Sequence, residues 1–301
     1  MTRRRALGAA RLVFVLLTLA FAWWGFRGRW GEIGAAASTT GPLRLAGAVA
    51  CATAGLVLTG LLWRLLLRWL GSDVGVRDAA SVFFVGQLGK YVPGSVWSIA
   101  VQARLGRRHG VPARSSATAS LVFLLVHTAT GLLAGGLLVL LGAIDLGAPG
   151  LDYPGPRWHR APPLLTGRRP AGRTRRDAVL GGPELVRALG LMAAVWALHG
   201  ASLLLLVPGG GGSPGLAGAV AAFALAHAVG VLVVLAPAGV GAREAVLVAL
   251  LSPVVGVPGA AAVALLSRVA QALADFLVAA GAIGCARIGR VRPAAGAGAR
   301  A

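Results

Sequence analysis

The sequence predicts an all-α fold, a polytopic transmembrane helical bundle of about 6–8 spans with two broken or re-entrant elements. Of its 301 residues, 57% are hydrophobic and only 13% are charged, whereas soluble domains carry about 25% charged residues. The mean hydropathy is +0.78. The net charge is nevertheless +20, and many arginines stand at the ends of apolar runs, where they anchor membrane helices. These observations exclude an ordinary soluble domain, and no nucleic-acid partner is expected because such binding needs a soluble basic surface.

The first predicted span covers residues 12–26 and follows Arg3, Arg4 and Arg5. Its usable length begins near Ala6, because Arg11 can extend its charge toward the headgroups. A cleaved signal peptide is the alternative, since a basic start, an apolar centre and later small residues fit that template too.

Five further apolar runs approach or exceed the roughly 20 residues that a helix needs to cross the hydrocarbon core. They cover residues 43–63, 117–143, 188–207, 216–236 and 259–286. Basic residues follow the first of these runs, precede the second and follow the last: Arg64, Arg68; Arg104, Arg107, Arg108, Arg114; Arg287, Arg290, Arg292. The positive-inside rule places these basic clusters in the cytoplasm.

Two apolar stretches are broken by polar residues, glycine and proline. Residues 79–101 lie between two basic clusters, so they are predicted to enter and leave the membrane on one side, as a re-entrant hairpin or tilted half-helices. The second stretch begins Pro237-Ala-Gly-Val-Gly-Ala-Arg-Glu and ends near Pro253. Broken elements at corresponding positions in two halves are typical of transporter repeats. Alternatively, glycine and proline are simply frequent in membrane helices.

The middle of the chain differs from the rest. Residues 145–186 form an arginine-rich loop without an apolar run long enough to span. Six crossings put this loop outside, whereas an inside location needs an extra crossing, and its side stays open. Residues 1–292 are predicted to form one integral-membrane domain, followed by a disordered tail, 293–301.

Ionisable groups within apolar stretches are candidate site residues because they are costly in a membrane. Lys90, the only lysine, lies where glycine and proline free backbone amides, which favours an anion such as phosphate. The alternative is that Lys90 extends to the surface from a shallow loop. Nearby Tyr91 and Trp97 could bracket a headgroup or serve as interfacial anchors.

A second set of charges lies in the last third of the chain. Arg243 and Glu244 occupy the second break, and Arg268, Gln271 and Asp275 share one face of the last span. Arg243 could pair with either acid, and a network that only joins helices is an alternative to a binding site. Counting the interior charges leaves one surplus positive charge, which we assign to Lys90 and which an anionic ligand would balance.

His127, His199 and His227 occur singly in three predicted spans, where they could relay protons or simply hydrogen-bond to neighbouring helices. Cys51 and Cys285 do not indicate a disulfide framework. No Cys and His spacing resembles a metal site, so neither a metal nor a cofactor is expected.

Two motifs resemble the lysylphosphatidylglycerol synthase transmembrane region, or flippase-like domain family. They are Gly86-Gln-Leu-Gly-Lys-Tyr-Val-Pro-Gly-Ser-Val-Trp-Ser98 and residues 237–244, supported by Arg104, Gly110, Arg268 and Asp275. The resemblance implies movement of an anionic or aminoacylated phospholipid, or a related lipid-linked molecule, between leaflets. The expected headgroup site comprises Lys90, Tyr91, Pro93, Gly94, Ser95, Trp97, Arg243, Glu244, Arg268 and Asp275. The family commonly has another span in the middle, which this sequence does not show.

The resulting expectation is a flippase or scramblase, not an enzyme, in the inner membrane, with anionic lipid headgroups as partners. Homo-oligomers or a partner synthase are left open. Lipid aminoacylation is not predicted, because the chain ends about 15 residues after the last span. Without a P-loop, movement is passive or coupled to an ion gradient or a partner. The alternatives are a membrane-embedded transferase for lipid-linked substrates and a non-transporting scaffold that binds anionic lipid through its arginine-rich loop.

Overall fold

A computed structural model of the chain describes residues 38–92, 97–144, 182–208, 212–233, 239 and 241–290, with isolated positions 16, 31 and 35. Nearly all of the predicted first span lies outside the described residues, as do residues 145–181 and the tail from residue 291.

The described residues form seven α-helices and two short 3-10 turns, and no strand occurs among them. The helices are α1 (Pro42–Trp69), α2 (Val76–Gln87), α3 (Trp97–Gly106), α4 (Ala113–Leu140), α5 (Gly182–Leu206), α6 (Gly215–Leu232) and α7 (Ala242–Arg290), and the turns are Leu88–Tyr91 and Arg107–His109. Five helices, α1, α4, α5, α6 and α7, are long and apolar enough to cross a membrane. They coincide with the five predicted runs after the first, so the all-α membrane bundle is confirmed.

Helix α7 is bent at Gly256, which has φ 72° and ψ 160°. Pro253 and Pro258 lie on either side of the bend and lack the N–H that would continue the helical hydrogen bonds. The part before the bend, residues 242–255, is roughly 21 Å long and too short to cross a membrane alone. The part after it contains the predicted span 259–286.

The predicted broken stretch 79–101 contains two short helices, α2 and α3, which pack against each other. Their lengths of roughly 18 Å and 15 Å are too short to span the hydrocarbon core. Two glycines allow the contact: a Cβ on Gly86 would lie 2.2 Å from Gln102 Cγ, and one on Gly89 would lie 2.7 Å from the backbone nitrogen of Ser98. The stretch is therefore a helical hairpin, and its entry and exit on one side of the membrane stay a prediction.

Aromatic packing fixes this hairpin to α1 and α4. The Phe83 ring lies 5.5 Å from the Trp63 ring and 5.3 Å from the Phe123 ring, measured between centroids. Trp63 Nε1 donates to Ser120 Oγ at 3.1 Å, and Ser120 also contacts Gln102 of α3. The hairpin thus packs on two long helices rather than facing lipid on all sides.

Helices α1 and α5 are antiparallel. Ser202 Oγ donates to the carbonyl oxygen of Ala48 at 2.8 Å, and Gly55 faces the His199 ring. The end of α1 therefore lies beside the start of α5, and this end of the bundle holds Arg64, Arg68 and Arg187. We call it the basic end and the other the far end.

The hairpin opens at the basic end. Arg64 Nε donates to the carbonyl oxygen of Val74 at 2.7 Å, and His109 Nδ1 lies 3.2 Å from Asp78 Oδ1. These contacts bring together the end of α1, the start of α2 and the turn between α3 and α4. The basic clusters that flank the hairpin in the sequence therefore share one end of the bundle, as predicted.

Residues 144 and 182 lie at opposite ends of the bundle. Helix α4 starts at the basic end, and at its far end the carbonyl oxygen of Ala143 faces Gly218, near the start of α6. Helix α5 starts again at the basic end.

The second broken element opens toward the opposite end from the hairpin. At the bend of α7, the Val254 carbonyl oxygen faces Gly212, in the connection between α5 and α6 at the far end. The start of α7 lies within the bundle, because the Arg243 side chain reaches the Phe223 ring of α6. Two broken elements that enter from opposite ends are the arrangement found in inverted transporter repeats.

Candidate functional site

The tip of the hairpin is bound to α7 through a carboxylate. Lys90 Nζ lies 2.8 Å from Asp275 Oδ1 and 2.7 Å from Asp275 Oδ2. Tyr91 Oη donates to Asp275 Oδ2 at 2.7 Å. Asp275 is only 3% exposed, so a lysine and a tyrosine from the hairpin satisfy a carboxylate buried within the bundle.

The 3-10 turn Leu88–Tyr91 directs both side chains toward α7. Tyr91 is buried and stacks on Phe276, with ring centroids 5.8 Å apart and an interplanar angle of 14°. The Tyr91 hydroxyl faces the Asp275 carboxylate, which can only accept hydrogen bonds. The hydroxyl therefore stays protonated and donates its hydrogen bond.

This ion pair corrects the expected environment of Lys90. The sequence shows no acid near Lys90, so the surplus positive charge was assigned to it, but the fold supplies Asp275 as its partner. The Lys90 side chain is still 34% exposed, so the ammonium is paired yet accessible.

The second break is also held to the later part of α7. Arg268 Nη1 donates to Glu244 Oε1, and Glu244 Oε2 accepts from the backbone N–H of Gly241 at 2.6 Å. Gly239 packs so tightly on α6 that a Cβ there would lie 2.8 Å from Gly230 Cα. Gly241 has φ 87°, a conformation that favours glycine. These requirements explain the two glycines of the second motif.

Arg243 is the interior cation without a carboxylate partner. Its Nη2 donates to Ser267 Oγ at 3.1 Å, and its Cζ lies 4.7 Å from the centroid of the Phe223 ring. No carboxylate of the described residues lies within 4.0 Å of its guanidinium, although the sequence allowed pairing with either acid. Lys90 pairs with Asp275 and Arg268 with Glu244, so the surplus positive charge belongs to Arg243.

The polar face of α7 continues from this site to α5. Arg268, Gln271 and Asp275 do share a face, but each contacts a different element rather than one another. Gln271 Nε2 lies 3.2 Å from His199 Nδ1 of α5, and this contact is half-buried. His199 in turn stacks on Phe223, with ring centroids 4.8 Å apart. The same Phe223 ring makes the cation–π contact with Arg243.

The three histidines that stand alone in the sequence form one cluster with aromatic rings. His127 and His227 lie edge to face with centroids 4.7 Å apart, and Trp196 lies 4.6 Å from His127. His199 and His227 both stack on Phe223. Sequence reasoning missed this cluster because its members come from three helices. His127 Nδ1 is buried without a hydrogen-bond partner, which fits a packing role.

The remaining predicted site residues follow the hairpin turn. Trp97 begins α3 and is 47% exposed, so its proposed contact with a headgroup stays a prediction. Pro93, Gly94 and Ser95 lie outside the described residues. Across the described ranges, no group of three or more His, Cys, Asp or Glu residues could hold a metal ion.

Comparison with known proteins identifies part of the chain. Residues 9–153 match the family model described as the Lysylphosphatidylglycerol synthase TM region, which confirms the resemblance carried by the first motif. No curated protein matches the chain. Together with the five apolar helices, this match over residues 9–153 indicates a multi-pass membrane protein related to lipid handling.

Proposed function

Since residues 9–153 belong to the family of the lysylphosphatidylglycerol synthase TM region, we propose that the protein moves anionic phospholipids between the leaflets of a membrane. The lipid phosphate binds at the site formed by Lys90, Arg243 and the second half of α7, while the acyl chains stay in the bilayer. The substrate class extends to aminoacylated phospholipids and related lipid-linked molecules, and the membrane is the cytoplasmic membrane.

Arg243 carries this proposal. A cation within a membrane bundle is costly unless an anion compensates it, and the two interior carboxylates are engaged by other cations. A guanidinium matches phosphate geometry with two parallel hydrogen bonds. Arg243 is half-buried, and among the described residues one hydrogen bond, to the Ser267 hydroxyl, engages it, so it retains donors for such a ligand.

Lys90 supplies the second contact. Its ammonium is accessible, and a phosphate that approaches it competes with Asp275 for the same charge. Tyr91 keeps one hydrogen bond to Asp275 when Lys90 turns toward the lipid, which lowers the cost of breaking the pair. We infer that the Lys90 and Asp275 pair holds the site closed and separates when the anion binds.

The arrangement of the two broken elements is compatible with a site that changes its accessibility. The hairpin opens at the basic end and the second break opens toward the far end, and each is joined to the second half of α7 by an ion pair. Broken helices at the junction of inverted elements form the substrate sites of many transporters. Rearrangement of the two elements about α7 would expose the headgroup site to each leaflet in turn.

We favour transport over lipid transfer chemistry. A transferase needs an acidic side chain that acts as a base or holds a metal. Asp275 accepts from Lys90 and Tyr91, and Glu244 accepts from Arg268 and Gly241, so both interior acids are already used.

The test is headgroup-selective lipid movement in reconstituted vesicles. Fluorescent phosphatidylglycerol and phosphatidylcholine with identical acyl chains are placed in both leaflets, and an impermeant reductant quenches the outer label. We expect the protein to bring the inner phosphatidylglycerol to the quencher faster than phosphatidylcholine. A rate equal to that of protein-free vesicles, or a change in the mass of the lipid, would overturn the proposal.

A further inference from the structure

A groove runs along the outside of α1 and α5, separate from the central site. Its cavity is about 520 Å³. Its walls are mostly aliphatic, and its floor is open at Gly190, where a Cβ would have nothing within 4 Å. The apolar lining residues that matter below are Leu58, Leu61, Leu65, Gly190, Leu191 and Ala194.

Three arginines line one end of this groove. Arg64 and Arg68 from α1 and Arg187 from α5 all lie at the basic end of the bundle. Asp73 lies 3.5 Å from Arg64 and 3.7 Å from Arg68, whereas Arg187 has no ion pair with a described residue. Among the described residues, one exposed carboxylate, that of Asp73, pairs with two of these three guanidinium groups, which leaves a surplus of two positive charges.

We propose that this groove binds one anionic phospholipid, with the phosphate at the three arginines and an acyl chain along the aliphatic walls. From Arg68 to Leu58 the groove extends about 15 Å along α1, which equals the hydrocarbon depth of one leaflet. Basic clusters between membrane helices are typical sites for anionic headgroups. Charge at one end and apolar surface along the rest match an amphiphile oriented with its headgroup at the basic end.

The proposed occupant is held at the bundle surface and is not the transported lipid. The groove uses none of the central residues Lys90, Arg243 or Asp275. Its role is to join α1 to α5, because a lipid in the groove contacts both helices. Lipid retention in the groove is therefore expected to be independent of lipid transport.

The test is retention of lipid by purified protein in detergent. Dioleoyl phosphatidylglycerol and dioleoyl phosphatidylcholine are added in equal amounts, and retained lipid is counted by native mass spectrometry. The Arg243→Gln background is used so that the central site does not contribute. We expect preferential retention of one phosphatidylglycerol. Arg187→Gln should reduce retention roughly fivefold, the ratio for about 1 kcal/mol per basic side chain near an anionic surface.

Two further variants distinguish the effect of the groove's shape from the effect of its charge. Gly190→Trp fills the open floor of the groove and should abolish lipid retention. Because Gly190 is exposed, we expect the variant to fold. Arg77→Gln removes an exposed arginine outside the groove and should leave retention unchanged. Equal retention of the two lipids, or an equal loss in Arg77→Gln and Arg187→Gln, would overturn the proposal. So would the absence of retained lipid in Arg243→Gln when the unmutated protein retains one.

Discussion

Lys90 and Asp275 are 185 positions apart in the sequence, yet Lys90 Nζ lies 2.7 Å from Asp275 Oδ2. This contact joins the tip of the hairpin to the last membrane helix. It fixes where the first motif lies in the bundle, and it removes Lys90 from the set of unpaired interior cations. Among the described interior cations, Arg243, on the second broken element, is consequently the one without a carboxylate partner.

The pair should contribute measurably to stability. Asp275→Ala leaves the Lys90 ammonium and the Tyr91 hydroxyl without their acceptor. The expected loss is on the order of 2 kcal/mol, below the roughly 3–5 kcal/mol of a fully buried pair, because Lys90 is partly accessible. Thermal unfolding in detergent of both single variants and the Lys90→Ala/Asp275→Ala double variant measures the coupling.

The exposed pair of Arg64 and Asp73 provides the control for this measurement. Asp73 is 76% exposed and lies 3.5 Å from Arg64, so Asp73→Ala should change stability by less than about 1 kcal/mol. Additive losses from the Lys90 and Asp275 substitutions would show that the contact does not couple the two elements.

The glycine at the hairpin turn should not tolerate a side chain. In Gly89→Ala the new Cβ would lie 2.7 Å from the Ser98 nitrogen, which is backbone and cannot move aside locally. We expect α2 and α3 to separate, with a drop in melting temperature and loss of lipid movement. Gly136→Ala is the matched control, since nothing lies within 4 Å of a Cβ there. Equal effects of the two substitutions would contradict tight packing at Gly89.

The sequence predicts the spans well because hydropathy is a local property. All five described spans coincide with apolar runs, and the two breaks appear where glycine and proline interrupt them. The hairpin follows from basic residues on both flanks of a stretch too short to cross twice. Close packing or a positive φ explains four glycines of the two motifs: Gly86, Gly89, Gly239 and Gly241.

The partners of the interior charges cannot be predicted in the same way. The charge count gives one surplus positive charge, but which residue carries it depends on contacts between distant segments. The fold brings Lys90 into contact with Asp275. The Arg243 side chain instead contacts Phe223 and Ser267. The histidine cluster is hidden for the same reason, because His127, His199 and His227 come from α4, α5 and α6.

The arrangement of the long helices predicts opposite accessibility on either side of residues 145–181. In a Cys51→Ala/Cys285→Ala background, a cysteine replaces Leu141 or Leu185, both of which are exposed. An impermeant maleimide applied to sealed right-side-out vesicles should label Leu141→Cys at once. Leu185→Cys should react only after permeabilisation. Labelling of both cysteines from the same side would contradict the antiparallel packing of α1 on α5.

Arg243 is proposed to bind the phosphate of the moving lipid, so its replacement should slow lipid movement. The measurement is the rate of phosphatidylglycerol movement in vesicles that contain Arg243→Gln, with Arg77→Gln as the control that removes one exposed arginine. A hydrogen bond to a charged group is worth roughly 1.5–3 kcal/mol, so we expect a rate at least about tenfold lower in Arg243→Gln. The control should be unchanged. Equal rates for Arg243→Gln and the unmutated protein, with both variants folded, would show that Arg243 does not bind the phosphate of the moving lipid.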